Sequence, residues 1–108
     1  MVDIDPARGS EANKRRPAVI VSNDGANSTA ERLNRGVITV VPVTSNVSRV
    51  YPFQVLLPAT GCGLPSDSKA QAEQVRSVAI ERIGRRVGQL TAPLLAELDE
   101  ALRLHLAL

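Results

Sequence analysis

The chain is poor in the residues that build metal sites, disulfides and aromatic surfaces. Its 108 residues include one cysteine, one histidine, one tyrosine, one phenylalanine and no tryptophan. A single Cys62 excludes an internal disulfide, and with only His105 to join it no recognisable Cys/His metal site can be assembled. With Tyr51 and Phe53 as the only large rings, base-stacking platforms are nearly absent, which counts against an OB-like or RRM-like nucleic-acid binder.

Long apolar runs are also missing. No stretch approaches the roughly 20 apolar residues that a membrane span needs, and the start Met-Val-Asp-Ile-Asp lacks the layout of a signal peptide. Together with the lone thiol, this predicts a cytoplasmic protein that does not contact a membrane. The length and the 44% hydrophobic content suffice for one packed core, so residues 1–108 are expected to form a single domain.

The formal net charge is only +2, but the basic residues are clustered. One group lies near the start of the chain and a second lies after residue 80: Arg8, Lys14, Arg15 and Arg16, then Arg82, Arg85 and Arg86. A clustered basic surface favours a polyanionic partner, whereas two solvated loops would only keep the protein soluble. Charge alone leaves both interpretations open.

Short β-branched runs predict several strands. Residues 18–21 follow a polar, proline-closed loop, and residues 37–44 are the strongest strand, in which Pro42 suggests an edge or a bulge. Residues 51–57 resume strand character, which predicts a hairpin with a long loop. Residues 28–33 have room for a turn or two of helix. Residues 71–80 alternate well enough to be a strand, although their composition also permits helix.

The C-terminal segment predicts an amphipathic helix. Thr91 is a good N-cap, Pro93 falls in the first turn, and the following leucines and alanines form a wide apolar stripe. Acidic residues precede Arg103 and His105, as the helix dipole favours. The fold class is therefore mainly β with one C-terminal helix that must pack on the strands.

Few groups are available for chemistry. His105 beside a leucine stripe is more typical of a surface residue than of a catalyst, and Cys62 has no histidine near it in sequence. No phosphate-binding, dinucleotide-binding or zinc-hydrolase motif occurs, so no cofactor is expected. The arginine-rich loop around Gly9 and Ser10 remains, and guanidinium groups, a close backbone and a hydroxyl suit a phosphodiester.

Four segments of the chain form a recognisable pattern. The loop and the strand after it read DPARGSEANKRRPAVIVS, and the later segments read VVPVTS at 40–45, YPFQV at 51–55 and AEQVRS at 72–77. These segments resemble those of the MazF/PemK toxin family. Any one of these segments would mean little, but four in order with compatible spacing cover nearly the whole chain.

The resemblance implies a small SH3-like β-barrel of the MazF/CcdB type and assigns residues 71–80 to a strand. It implies a homodimeric toxin that cleaves single-stranded RNA without a metal ion and is inhibited by a cognate MazE-like antitoxin. By position in the family motifs, Arg16 and Thr44 are the catalytic pair, Ser10 and Glu11 lie near the scissile phosphate, and Glu73 and Gln74 contact bases. An arginine is a poor general base, so Glu11 is the candidate catalytic base. The basic loop adds Arg8, Lys14 and Arg15 as RNA-binding residues, and Ser45 follows Thr44 in the same motif.

One family segment has no counterpart. Members carry a strand of the type R-G-x-[IV]-[WY] ahead of the Asp-Pro loop, whereas here the loop follows Met1 to Ile4 almost at once. This predicts a missing first strand and an unpaired sheet edge.

Two other functional classes compete with the nuclease. A CcdB-like gyrase poison shares the fold and binds a protein without cutting RNA, and a sequestered, inactive scaffold would suit a missing strand. The pair Arg16 and Thr44 favours the nuclease, because the gyrase poison acts through its C-terminal end, which here carries no distinctive aromatic residue.

Overall fold

The computed structural model describes residues 16–22, 29, 32–33 and 35–108, together with the backbone of residues 2–4. Thr29, Arg32 and Leu33 are helical, within the segment 28–33 that was predicted to hold a helical turn. Five of the predicted site residues lie outside the described residues: Arg8, Ser10, Glu11, Lys14 and Arg15.

The described strands form an antiparallel sheet in the order β4-β5-β3-β2-β1-β7, and β6 also pairs with β3. In the described part of the chain no pairing joins β4 to β7, so the sheet is not closed into a ring. The strands are β1 (Val2–Ile4), β2 (Arg16–Ile20), β3 (Val37–Thr44), β4 (Gln54–Leu57), β5 (Ser68–Gln71), β6 (Arg76–Ala79) and β7 (Ile83–Arg86).

Strand β3 is the centre of the fold and is buried on both faces. Ile38 and Val40 point into one apolar cluster, whereas Val41 and Val43 point into a second cluster on the opposite face. Pro42 therefore does not mark an edge strand. On one side Pro42 pairs with Ala18 of β2. On the other side it lies in a gap between two strands, because pairing with β6 ends at Val40 and pairing with β5 begins at Val43. The missing N–H costs no ladder bond in such a gap.

The predicted hairpin of residues 37–44 and 51–57 is wrong. Strand β5 lies between β3 and β4 and pairs antiparallel with both. The sequence between β3 and β4 therefore forms a connection across β5, and β4 pairs with the strand that follows it in the chain. Periodicity gave the two strands but carried no information on which strand each would pair with.

Residues 71–80 are only partly strand. Strand β5 ends at Gln71, a 3₁₀ turn spans Ala72–Gln74, and β6 starts at Arg76. The backbone N–H of Val75 donates to the carbonyl of Ala72 at 3.1 Å and closes this turn. Because of this turn, β5 and β6 both pair with β3. Strand β5 pairs with the end of β3, and β6 pairs with the start of β3.

The expected unpaired edge beside β2 is also wrong. Strand β1 pairs antiparallel with β2 from Val2 to Ile4 and also with β7, with a register shift between Val2 and Ile4. Three residues thus occupy the position expected to be empty and connect β2 to β7.

The predicted C-terminal helix spans Ala92–Leu106. The Thr91 hydroxyl accepts a hydrogen bond from the N–H of Leu94 at 3.4 Å, which is the capping contact that the sequence predicts. Leu98 and Ala101 are buried in the larger apolar cluster, against residues of β3, β4 and β5. No helix among the described residues is long and apolar enough to cross a membrane.

Candidate active site

A cleft of about 810 Å³ opens where the start of β2, the end of β3 and the end of β7 approach one another. A turn from Gly63 to Ser68 forms its remaining wall. The cleft is lined by Arg16, Pro17, Val43, Thr44, Ser45, Gly63, Leu64, Pro65, Ser66, Ser68, Arg85 and Val87. Three residues that the sequence predicted for the site, Arg16, Thr44 and Ser45, are therefore brought together although 28 positions separate the first two.

Arg16 is the first residue of β2 and its side chain is exposed to the cleft. Pro17 holds the preceding backbone extended, and the next two residues, Ala18 and Val19, are buried and anchor the strand. Within the described part of the chain the Arg16 guanidinium makes no ion pair.

Thr44 ends β3 and lies across the cleft from β2. Its backbone pairs with Lys69 of β5, and its Oγ1 accepts a hydrogen bond from the N–H of Asn46 at 3.2 Å. Because that bond occupies a lone pair of Oγ1, the hydroxyl hydrogen is available to donate into the cleft. Ser45, the next residue, is exposed and adds a second hydroxyl there.

The loop that follows Thr44 is attached to the sheet by a buried lysine. The side chain of Lys69 is only 8% exposed, and its Nζ donates to the carbonyl of Arg49 at 2.6 Å. The same ammonium lies 5.9 Å from the centre of the Tyr51 ring, which stacks on Phe53 with ring centres 5.4 Å apart. These contacts hold the connection between β3 and β4 in one conformation beside Thr44 and Ser45.

Glu73 and Gln74, which were predicted to contact bases, do not line the cleft. Gln74 is exposed. Glu73 Oε2 accepts a hydrogen bond from Gln54 Nε2 at 2.8 Å, and Gln54 Oε1 accepts one from the N–H of Tyr51 at 3.1 Å. Glu73 Oε1 is buried and has no hydrogen-bond partner among the described residues. Glu73 thus belongs to a hydrogen-bond chain that ends on the same loop.

Arg85 is a charged cleft residue that the sequence did not assign to the site. It belonged to the second basic group, but no family motif pointed to it, and a charge cluster does not show which of its members face a site. The remaining candidates do not line the cleft: His105 is exposed on the C-terminal helix, and the Cys62 side chain is buried in the core. Among the described residues no group of three or more His, Cys, Asp or Glu side chains could hold a metal ion.

Comparison with known proteins matches nearly the whole chain. A family model described as PemK-like, MazF-like toxin of type II toxin-antitoxin system matches residues 1–106. A relative in Mycobacterium tuberculosis named Endoribonuclease MazF9 is 70% identical over 107 residues, which cover 99% of this chain and 91% of the relative.

Solved structures show the same fold. The Mycobacterium tuberculosis toxin MazF-mt6 superposes with a TM-score of 0.77 at 22% identity, and the match covers 100% of this chain and 98% of that one. A MazE-MazF crystal structure from Deinococcus radiodurans matches with a TM-score of 0.69 at 30% identity and covers 86% of each chain. The antiparallel sheet with its C-terminal helix is therefore the fold of known MazF toxins.

Proposed function

This chain belongs to the PemK-like, MazF-like toxin family of type II toxin–antitoxin systems, and we propose that it cleaves single-stranded RNA in the cleft between Arg16 and Thr44. The observation that carries the proposal is the convergence of these two family-motif residues in one open cleft. The close relative named an endoribonuclease supports the activity. The CcdB-like gyrase poison is not favoured, since the near relatives are endoribonucleases.

The proposed reaction uses the RNA itself as the nucleophile. The 2′-hydroxyl attacks the adjacent 3′-phosphate and loses its proton, while the bond from phosphorus to the 5′-oxygen breaks and that oxygen gains a proton. The products are a 2′,3′-cyclic phosphate and a 5′-hydroxyl. The enzyme must stabilise a crowded dianionic phosphorane and move two protons, and neither task requires a metal ion or a cofactor.

Arg16 is proposed to stabilise the phosphorane. A guanidinium donates several fixed hydrogen bonds and can bind two equatorial oxygens at once. A single well-placed donor in a dry site is typically worth about 3 to 4 kcal/mol in the transition state. Arg16 precedes Pro17 and the buried residues Ala18 and Val19, so its backbone is held at the edge of the cleft.

Thr44 is proposed to donate its hydroxyl to a phosphate oxygen or to the leaving oxygen. The Asn46 N–H that binds Oγ1 leaves that hydrogen for the substrate. A guanidinium is a poor general base at neutral pH, so Glu11 is the better candidate for removing the 2′-hydroxyl proton. Ser45 is proposed to bind RNA at the same wall of the cleft.

The rest of the RNA surface is proposed from the basic loop and from the family motifs. Arg8, Ser10, Lys14 and Arg15 would bind the backbone near the cut, and Gln74 is exposed and available to a base. A base contact by Glu73 would require its carboxylate to rotate away from Gln54. We further propose that the protein acts in the cytoplasm as a homodimer held inactive by a MazE-like antitoxin, as the MazE-MazF structure of the Deinococcus relative suggests.

The test is cleavage of a defined RNA in EDTA, with mapping of the cut site and of the new ends. RNA with one 2′-deoxynucleotide at the cut site should bind with similar affinity and remain intact, because the nucleophile is missing. Cleavage of that substrate, or activity that appears only when magnesium is added, would reject the proposed reaction. An RNA without the substitution serves as the matched control.

A further inference from the structure

We propose that Arg85 is a substrate-binding residue that holds the phosphate next to the one being cleaved; this rests on the proposed RNA cleavage. Arg85 lies on β7, is exposed, and lines the same cleft as Arg16 and Thr44. The neighbouring Arg86 does not line the cleft, and its guanidinium donates to Gln89 Oε1 at 2.7 Å. The lining of the cleft thus separates the two arginines, since the register shift between β1 and β7 falls within Ile83–Arg86 and strict alternation does not hold there.

The strand order separates Arg85 from Arg16. Strand β1 lies between β2 and β7, and Ile4 of β1 is registered with both Arg16 and Ile83. Two strand spacings put the backbones of β2 and β7 about 10 Å apart. A separation of this size suits two guanidinium groups that meet different phosphates of one extended strand better than two that share the same equatorial oxygens.

The end of β7 is fixed against the opposite wall of the cleft. A Cβ on Gly63 would lie 2.5 Å from the carbonyl oxygen of Val87, and a Cβ on Gly88 would lie 2.4 Å from that of Cys62. Two backbones thus touch directly at a point only two residues beyond Arg85. Because Gly63 and Val87 both line the cleft, this contact holds the Arg85 wall at a set distance from the turn that carries Ser66 and leads into β5 at Ser68.

This placement assigns Arg85 and Arg16 different roles. The phosphate next to the cut keeps the same charge throughout the reaction, so a contact with it stabilises the bound substrate and the transition state equally. Arg85→Gln should raise KM about three- to tenfold and leave kcat unchanged, the pattern of lost uniform binding. Replacing Arg16, which meets charge that develops at the reacting phosphorus, should lower kcat instead.

The experiment compares Arg85→Gln with Arg86→Gln, a control that removes the same charge one residue away. Affinity is measured by fluorescence anisotropy on RNA made uncleavable by a 2′-deoxynucleotide at the cut site. Across a salt series Arg85→Gln should reduce the slope of log affinity against log salt by about 0.7, the value for one phosphate contact on a single strand. Arg86→Gln should leave both slope and KM close to those of the wild type.

A second series identifies the phosphate. One neutral methylphosphonate is placed in turn at each linkage flanking the cut. At one linkage the methylphosphonate should weaken RNA binding by the wild type and by Arg86→Gln. It should not weaken binding by Arg85→Gln, because that variant has already lost the contact with this phosphate. Three results would each overturn the role given to Arg85. They are no such coupling at any linkage, equal RNA binding by the two variants, and a lower kcat for Arg85→Gln. A wild-type protein that cuts no RNA would instead reject the proposed function. The binding comparison does not depend on cleavage, because it uses an uncleavable RNA.

Discussion

At the scale of single residues, the site combines residues that the sequence could identify with others that it could not. Arg16 and Thr44 lie in recognisable motifs, and the structure brings them into one cleft. Arg85 reaches that cleft only through the pairing of β7 with β1 and of β1 with β2, which no local pattern encodes. The orientation of the Glu73 side chain is likewise set by a hydrogen bond to Gln54, 19 residues away in the sequence.

The hydrogen-bond chain from Glu73 to Gln54 to Tyr51 yields a prediction for stability. Gln54 is only 8% exposed, and Gln54→Leu would leave the Glu73 carboxylate and the Tyr51 N–H without a partner. Glu73 is half-buried, and a group that loses its hydrogen-bond partner in such a position costs about 1 to 3 kcal/mol, so urea unfolding should show a loss of that size.

The control for this prediction is Glu73→Gln. Its amide oxygen can still accept the hydrogen bond from Gln54 Nε2, and the substitution removes a buried charge, so unfolding should change by less than about 1 kcal/mol. Equal losses in the two variants would contradict the hydrogen-bond chain and assign the effect to packing alone.

At the scale of elements, local patterns found most strands and the helix but not their partners. The C-terminal helix was predictable because its capping threonine and its apolar stripe are both local features. The hairpin of β3 and β4 was wrong because β5, a strand that contains a buried lysine, lies between them. The 3₁₀ turn after Gln71 was missed because alternating residues look the same whether or not a turn interrupts them.

Alanine substitutions at three glycines near the cleft distinguish the cost of backbone strain from the cost of steric contact. Gly61 has φ +88° and open space around its Cβ position, Gly88 has a backbone contact without a left-handed φ, and Gly63 has both a φ of +76° and a contact. Substitution by alanine should cost about 1 kcal/mol at Gly61, where only the left-handed backbone is penalised.

The steric contacts should cost more. Gly88→Ala should cost about 1 to 3 kcal/mol from overpacking alone, and Gly63→Ala should be the most destabilising of the three because both penalties apply. Thermal unfolding of the three variants at one scan rate checks the order. A Gly63→Ala variant as stable as Gly61→Ala would show that the two backbones do not hold the cleft wall in place.

At the scale of the whole molecule, the fold places the cleft at the junction of three strand ends on a chain whose net charge is only +2. A small net charge cannot by itself attract RNA strongly, so the position of individual arginines decides the binding. Strand β3 joins the two apolar clusters and ends at Thr44, so the stability of the core and the geometry of the site depend on the same strand.

The measurement that tests this account most directly is single-turnover cleavage and binding of one RNA by Arg16→Ala, Arg16→Lys and Thr44→Val. Arg16→Ala should lower the cleavage rate by about 100- to 1000-fold while binding weakens far less. Arg16→Lys should recover little of the cleavage rate, since the point charge of an ammonium cannot replace a bidentate guanidinium contact. Thr44→Val keeps the β-branched shape and should reduce cleavage without unfolding the protein. Folded variants that cleave RNA at the wild-type rate, or that still arrest growth when expressed, would contradict the assignment of this cleft as the active site.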